Sequence, residues 1–130
     1  MEQRATRQRA AIRAAIEASP RPLLPAEILE VAQQAVTALG IATVYRNLKL
    51  LVDAGEIQVV ELPGEVPRYE STRHAHHHHF QCERCQRVFD VHACPGDFAH
   101  MAPKGFKVAR HELTLYGTCA ECRRSTAKPR

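Results

Sequence analysis

The chain has 130 residues, room for one ordinary domain or two small ones. Its 45% hydrophobic and 25% charged residues are those of a soluble globular protein and exclude disorder or collagen-like repetition. No apolar run approaches the roughly 18 residues of a membrane span, and the polar N-terminus has no signal-peptide core. The expected setting is therefore the cytoplasm, with no membrane partner. In that reducing compartment, five cysteines are better metal ligands than disulfides. Eight histidines accompany them, five between His74 and His79. The formal charge of +4 weakly favours an anionic partner such as nucleic acid. Residues 1–72, however, carry 8 basic and 9 acidic side chains, against 10 and 5 in residues 73–130. An argument for DNA must therefore rest on placed arginines rather than net charge.

All cysteines and histidines fall in residues 73–130, which sets a boundary near Ser71-Thr72-Arg73. In residues 6–18, Ile12 and Ile16 repeat at i, i+4 beside Ala11 and Ala15, and Ser19-Pro20 stops the run: a helix. A second helix opens at Pro25, a tolerated first-turn position, and runs to Leu39-Gly40 with Ile28, Ala32, Ala35 and Val36 inward. The third spans 43–55, with Val44, Leu48, Leu51 and Val52 on one face and Arg46, Lys49 and Asp53 opposite. Segments 57–62 and 66–70 flank the turn signal Pro63-Gly64 and make a hairpin.

Three helices followed by a two-stranded wing predict a winged helix-turn-helix domain over 1–72, whose third helix enters a DNA major groove. Arg46 is the foremost base or phosphate contact. Tyr45 would meet a thymine methyl or a phosphate, or else pack against the first helix. Thr43 would cap the helix or bind phosphate. Arg4, Arg7, Arg9 and Arg13 recur along one helix as phosphate contacts, or as an ordinary solvated face.

In the second half, residues 76–91 read as strand, turn and strand around a cysteine knuckle. A short helical stretch follows over 96–102, ended by Pro103, and then one long strand over 105–116. The whole is an α+β fold: the winged helix plus a small α/β zinc-containing domain over 73–130.

Cys82-x-x-Cys85 and Cys119-x-x-Cys122 are two knuckles separated by 33 residues. Two thiolates from each complete the tetrahedral set of a structural zinc. A thioredoxin-type redox pair would need one such motif between a strand and a helix, a context not expected for these two knuckles. A 58-residue unit with few large apolar residues depends on such a staple. Cys94 is left over, as a buried small hydrophobe, an incidental surface residue, a further ligand or an oxidation-sensitive thiol.

His76-His77-His78-His79 leads directly into the first knuckle. On a strand, His77 and His79 face one way and His76 and His78 the other. Each pair is a metal half-site, so the run can serve two sites. Imidazoles need carboxylate or further nitrogen partners to complete a site for iron, manganese or zinc. Candidates are Glu70, Asp90, Asp97 and His111. A solvated histidine cluster is the bland reading.

These motifs together resemble the ferric uptake regulator family. The likeness is carried by Ala42-Thr43-Val44-Tyr45-Arg46-Asn47-Leu48, Arg68-Tyr69-Glu70, the histidine run and Cys82-x-x-Cys85. Gly105-Phe106 and Leu115-Tyr116-Gly117-x-Cys119-x-x-Cys122 complete it. The resemblance covers essentially the whole chain. It implies a homodimeric, metal-dependent transcription repressor whose winged helix reads an AT-rich palindromic operator in double-stranded DNA. The C-terminal half would make the dimer, and Cys82, Cys85, Cys119 and Cys122 would hold the structural Zn2+. A regulatory site at the hinge would fall on Glu70, His77, His79 and Asp90, taking Fe2+, Zn2+ or Mn2+. A second sensory site would use His76, His78, His111 and an acid, Asp97, with Cys94 as the alternative donor. One departure stands out. Leu23 occupies the place where the family usually carries a histidine, so the hinge site has lost a ligand. That also weakens a peroxide-sensor reading.

Two other functions compete. A zinc hydrolase would use the histidines with Glu70 or Glu112 as base, but a winged helix serves no purpose in hydrolysis. A zinc-ribbon DNA-binding or interaction module without a regulatory metal is favoured by Leu23. Metal-dependent operator binding separates both from a repressor.

Overall fold

The computed structural model describes residues 2–72, 77–94, 96 and 98–124. The chain divides into two compact units, Met1–Ala75 and His76–Arg130. The first holds helices α1 (Glu2–Ala18), α2 (Pro25–Ala32) and α3 (Ile41–Asp53), then strands β1 (Ile57–Val60) and β2 (Arg68–Ser71). The strands pair antiparallel with Ile57 opposite Ser71 and Val60 opposite Arg68, forming the wing. Its sheet gains one bridge at Leu23, whose backbone N–H and C=O exchange 2.9 Å hydrogen bonds with Tyr69.

The core is the set of apolar positions that the helical period puts on facing stripes: Ile12, Ile16, Ile28, Val44, Leu48 and Leu51, with Leu23, Leu39 and Ile57 closing it. Polar bonds pin the periphery. The Arg13 guanidinium donates to Glu56 at 2.7 Å, and Arg9 donates to the Asn47 Oδ1, whose amide in turn donates to the Thr43 carbonyl. At the start of α2, Glu27 accepts from the Leu24 N–H at 2.9 Å and from Arg21 at 2.7 Å. This supplies the partner for one of the otherwise unsatisfied first-turn amides.

Several boundaries differ from expectation. Helix α1 starts at Glu2, not residue 6, because the polar residues before Thr6 are adequate helix formers. Helix α2 stops at Ala32, well short of Gly40. The Gln33 side chain donates to the Leu39 carbonyl at 3.0 Å, so residues 33–39 form turns that tuck Leu39 into the core. Helix α3 opens at Ile41 after an extended Gly40, which places Thr43 inside the first turn rather than at the cap.

The second unit holds β3 (His78–Cys82), β4 (Val88–Val91), a single 3-10 turn (Ala99–Met101), β5 (Thr114–Gly117) and α4 (Ala120–Arg124). The sheet order is β4-β3-β5, with β3 antiparallel to β4 and parallel to β5. The helical stretch expected over 96–102 is thus one 3-10 turn, cut short before Pro103. The long strand expected over 105–116 shrinks to Thr114–Gly117. Strand-forming side chains do not suffice without a ladder partner, and β3 is long enough to pair with that last part alone. Among the described residues, no helix is long and apolar enough to cross a membrane.

Candidate metal centres and nucleic-acid interface

The parallel register of β5 on β3 sets Cys82 opposite Gly117, which carries Cys119 to the first knuckle. A Cβ on Gly117 would come within 3.1 Å of the Phe80 ring, which would have to give way by a few tenths of an ångström. The four ligand sulfurs of Cys82, Cys85, Cys119 and Cys122 lie within 4.8 Å of one another. The turn after Cys85 closes through Gln86, held at φ 66°, whose N–H donates to the Cys82 carbonyl.

Zinc–sulfur bonds of about 2.3 Å give a tetrahedral S···S edge of about 3.8 Å. The Cys85 and Cys119 sulfurs are 3.9 Å apart, so the donor set fits zinc. Burial would push the Cys82 thiol up, but the N–H groups of Cys85, Cys119 and Arg84 together outweigh it and bring the thiol down to about 6. Cys122 goes the other way. Partial burial and then the neighbouring cysteine sulfurs push it up to about 12. Four thiolates this close repel one another, and a divalent cation relieves that repulsion. The Cys85 sulfur and then Glu121 favour the charged form of the Arg87 guanidinium, which adds a positive charge beside the cluster.

His77, His78 and His79 show the alternation of a strand. His79 stands opposite Asp90 across the β3–β4 pair, and His77 precedes it by two residues. The Asp90 Oδ1 lies 3.3 Å from the His77 Nε2 and 3.4 Å from the His79 Nε2. Its side chain is 2% exposed. Metal–nitrogen and metal–oxygen bonds of about 2.0–2.1 Å give ligand edges of about 3.3 Å, so these three groups also fit a divalent ion. His92, which sequence reasoning passed over, brings its ring 5.8 Å from that of His77. The available signal was parity, since Asp90 and His92 repeat the i, i+2 spacing of His77 and His79.

His78 faces the other way and meets Cys94 and His111 instead. Cys94 is exposed, so its reading as a buried small hydrophobe is overturned. His76 and Asp97, the other expected members of the second sensory site, lie outside the described residues. Glu70 lies in β2, 3% exposed, its carboxylate accepting from the Gln58 amide at 2.8 Å. Leu23 is 5% exposed and belongs to the core of the first unit.

The expected DNA-contacting residues are on the surface. Tyr45 is 52% exposed. Arg46 is exposed and donates to the Thr43 hydroxyl at 2.9 Å. Arg4 and Arg7 are exposed as well, whereas Arg9 and Arg13 are engaged with Asn47 and Glu56.

A winged helix followed in the chain by a four-cysteine knuckle and an imidazole–carboxylate cluster defines a metal-responsive DNA-binding regulator. The chain belongs to the ferric uptake regulator family, whose profile matches residues 1–116. It is 37% identical over 96 residues to the ferric uptake regulation protein of Staphylococcus aureus, covering 73% of this chain and 70% of that one. The corresponding protein of Campylobacter jejuni is 34% identical over 93 residues, 69% of this chain. That match spans 59% of the Campylobacter protein's own length. In three dimensions the chain is similar to the Helicobacter pylori regulator Fur, described as having three functional metal binding sites. The TM-score is 0.70 at 26% identity, over 92% of this chain and 82% of that one.

Proposed function

We propose that this protein is a homodimeric repressor whose operator affinity is set by a divalent metal. Its DNA-binding domain would be residues 1–72 and its dimerisation and sensing domain residues 73–130. Zn2+ at Cys82, Cys85, Cys119 and Cys122 would hold the second domain together. The regulatory ion, Fe2+, Zn2+ or Mn2+, would be held by His77, His79 and Asp90 with Glu70 from the wing. The observation that carries this reading is the convergence of two imidazoles on one buried carboxylate, unrelated to the cysteine cluster.

Six residues separate Glu70 from His77 in the sequence, so an ion sharing them would restrict the chain between the two domains. In a dimer, that restriction acts on the spacing of the two recognition helices, which must match one DNA turn of about 34–36 Å. A 10–100-fold change in affinity needs about 1.4–2.8 kcal/mol of coupling, within reach of one metal bridge. Arg46, Tyr45 and Thr43 would contact an AT-rich palindrome, with Arg4 and Arg7 on phosphates.

Gel-shift titration on the protein's own promoter, with each divalent metal added after chelation, tests the proposal when combined with a metal count per protomer. Two or more ions per chain and metal-dependent binding are expected. Replacing His77 and His79 by alanine should leave a folded, zinc-containing dimer that no longer responds to metal. A response that survives the double replacement would refute the assignment. A zinc-ribbon module without a regulatory ion is the second reading, favoured by the burial of Leu23 where a histidine ligand would stand. It predicts one ion per chain and metal-independent binding.

A further inference from the structure

Asp90 and His92 repeat, on β4 and the residue after it, the two-residue spacing of His77 and His79. The antiparallel register sets His79 opposite Asp90 and His78 opposite Val91, so one further step sets His77 opposite His92. The four side chains are therefore the corners of one rectangle on a single face of the β3–β4 hairpin, where opposed Cβ atoms stand about 4.5–5.5 Å apart. Within it the Asp90 Oδ1 lies 3.3 Å from the His77 Nε2 and 3.4 Å from the His79 Nε2. Of the four, His92 is the exposed one.

Ring spacing shows which of these groups can share an ion. Two imidazoles on one tetrahedral ion, with metal–nitrogen bonds of about 2.0–2.1 Å, have ring centres about 5.2 Å apart. The His77 and His79 rings are 4.9 Å apart, and the His77 and His92 rings 5.8 Å. The first pair already has the spacing of two ligands. The second exceeds it by less than 1 Å, a gap that small torsions of the exposed His92 side chain close within its rotamer well. His77, His79 and Asp90 supply three donors, and a four-coordinate ion takes one more.

We propose that His92 is a ligand of the regulatory ion, giving a set of three imidazoles and one carboxylate built from the β3–β4 hairpin and the residues flanking it. The inference rests on the reading that His77, His79 and Asp90 hold that ion. A fourth donor beside β4 makes the set independent of Leu23, whose side chain is buried in the core of the first unit. It also sets a preference. Imidazole suits zinc and iron, whereas carboxylate and water suit Mn2+, so a third imidazole biases the site against manganese.

The test uses the full-length protein with zinc in its cysteine knuckle. Cys94→Ser and His111→Ala are introduced together, to remove two donors from the cluster on the other face of β3. Titrated anaerobically with Co2+, this protein should show three hyperfine-shifted, exchangeable imidazole N–H resonances, and two after His92→Ala. In competition with a chromophoric chelator, His92→Ala should lower Zn2+ affinity by at least the roughly 10-fold that loss of even an outer-shell partner costs. Mn2+ affinity, read from the electron paramagnetic resonance of the free ion, should fall less. His100→Ala, a change at another exposed histidine, should alter neither affinity, and both variants should keep their circular dichroism and knuckle zinc. Zn2+ affinity that falls in His79→Ala but not in His92→Ala would overturn the role of His92 and leave the site itself standing. Affinity unchanged in both would overturn the site as well. Equal losses for Zn2+ and Mn2+ in His92→Ala would overturn the preference.

Discussion

Arg46 illustrates how one side chain acquires a role from its place on a helix. It lies on the exposed face of α3, opposite Val44, Leu48 and Leu51, and its guanidinium rests against the Thr43 hydroxyl. That contact is exposed and costs little to exchange for a base edge or phosphate. Arg46→Ala should weaken operator binding by about 1–3 kcal/mol if the contact is to a base, and lower the salt slope by about one if it is to phosphate. Gel shifts at several salt concentrations separate the two, and unchanged affinity would remove Arg46 from the interface. Glu27 is a purely structural counterpart. Burial raises its pKa, but the Arg21 guanidinium and the Leu24 N–H outweigh that and leave it below the usual glutamate range. A carboxyl with a depressed folded value contributes stability above its unfolded value of about 4.3, and that contribution disappears as pH falls through the folded value. Glu27→Gln should therefore lower the melting temperature at pH 7 and converge with the wild type in acid.

Among elements, the β3–β5 pair does the most for the metal chemistry. Parallel pairing sets Cys82 beside Gly117 and so brings together knuckles 33 residues apart in sequence. The side-chain alternation of β3 also separates the two histidine faces. The period-2 pattern made this division legible from the run alone, because it needs no knowledge of the partner strands. It did not show that β4 contributes Asp90 to one face, or that the stretch after β4 contributes Cys94 to the other. Those depend on register, which comes from packing. The same limit explains the shortened strand over 105–116. Its residues favour extension, but a strand exists where a neighbour supplies hydrogen bonds. Gly117→Val should test the pair: with Phe80 3.1 Å from the added Cβ, overpacking should cost about 1–3 kcal/mol. Urea denaturation would measure that cost, and Phe80→Leu in the same chain should recover part of it.

At the scale of the whole molecule, stability is divided unequally between the units. The first has a contiguous apolar core built from three helices and the wing. In the second, Cys82, Cys119 and Val88 are the buried apolar residues among those described, and two of them belong to the cysteine cluster. A structural zinc contributes roughly 10–16 kcal/mol on peptide scales, comparable to or above a whole domain's usual stability of ~5–15 kcal/mol. Removing it with a strong chelator should melt the second unit while α1–α3 persist. Far-UV circular dichroism should then keep most of its helical signal as β-sheet signal and dimerisation are lost. Simultaneous collapse of both signals would show that the first unit depends on the second.

By itself, the sequence determined the winged-helix plan, the four clustered cysteines and the opposite facing of His78 against His77 and His79. Each follows from local spacing: the 3.6-residue and two-residue periods, and the short gap of a metal knuckle. Tertiary structure alone decided that Leu23 fills the core, that Asp90 sits between His77 and His79, and that Cys94 rather than an incidental neighbour meets His78 and His111. These outcomes depend on which segments pair and in what register. Burial of the whole chain selects that register, and no short stretch of residues encodes it.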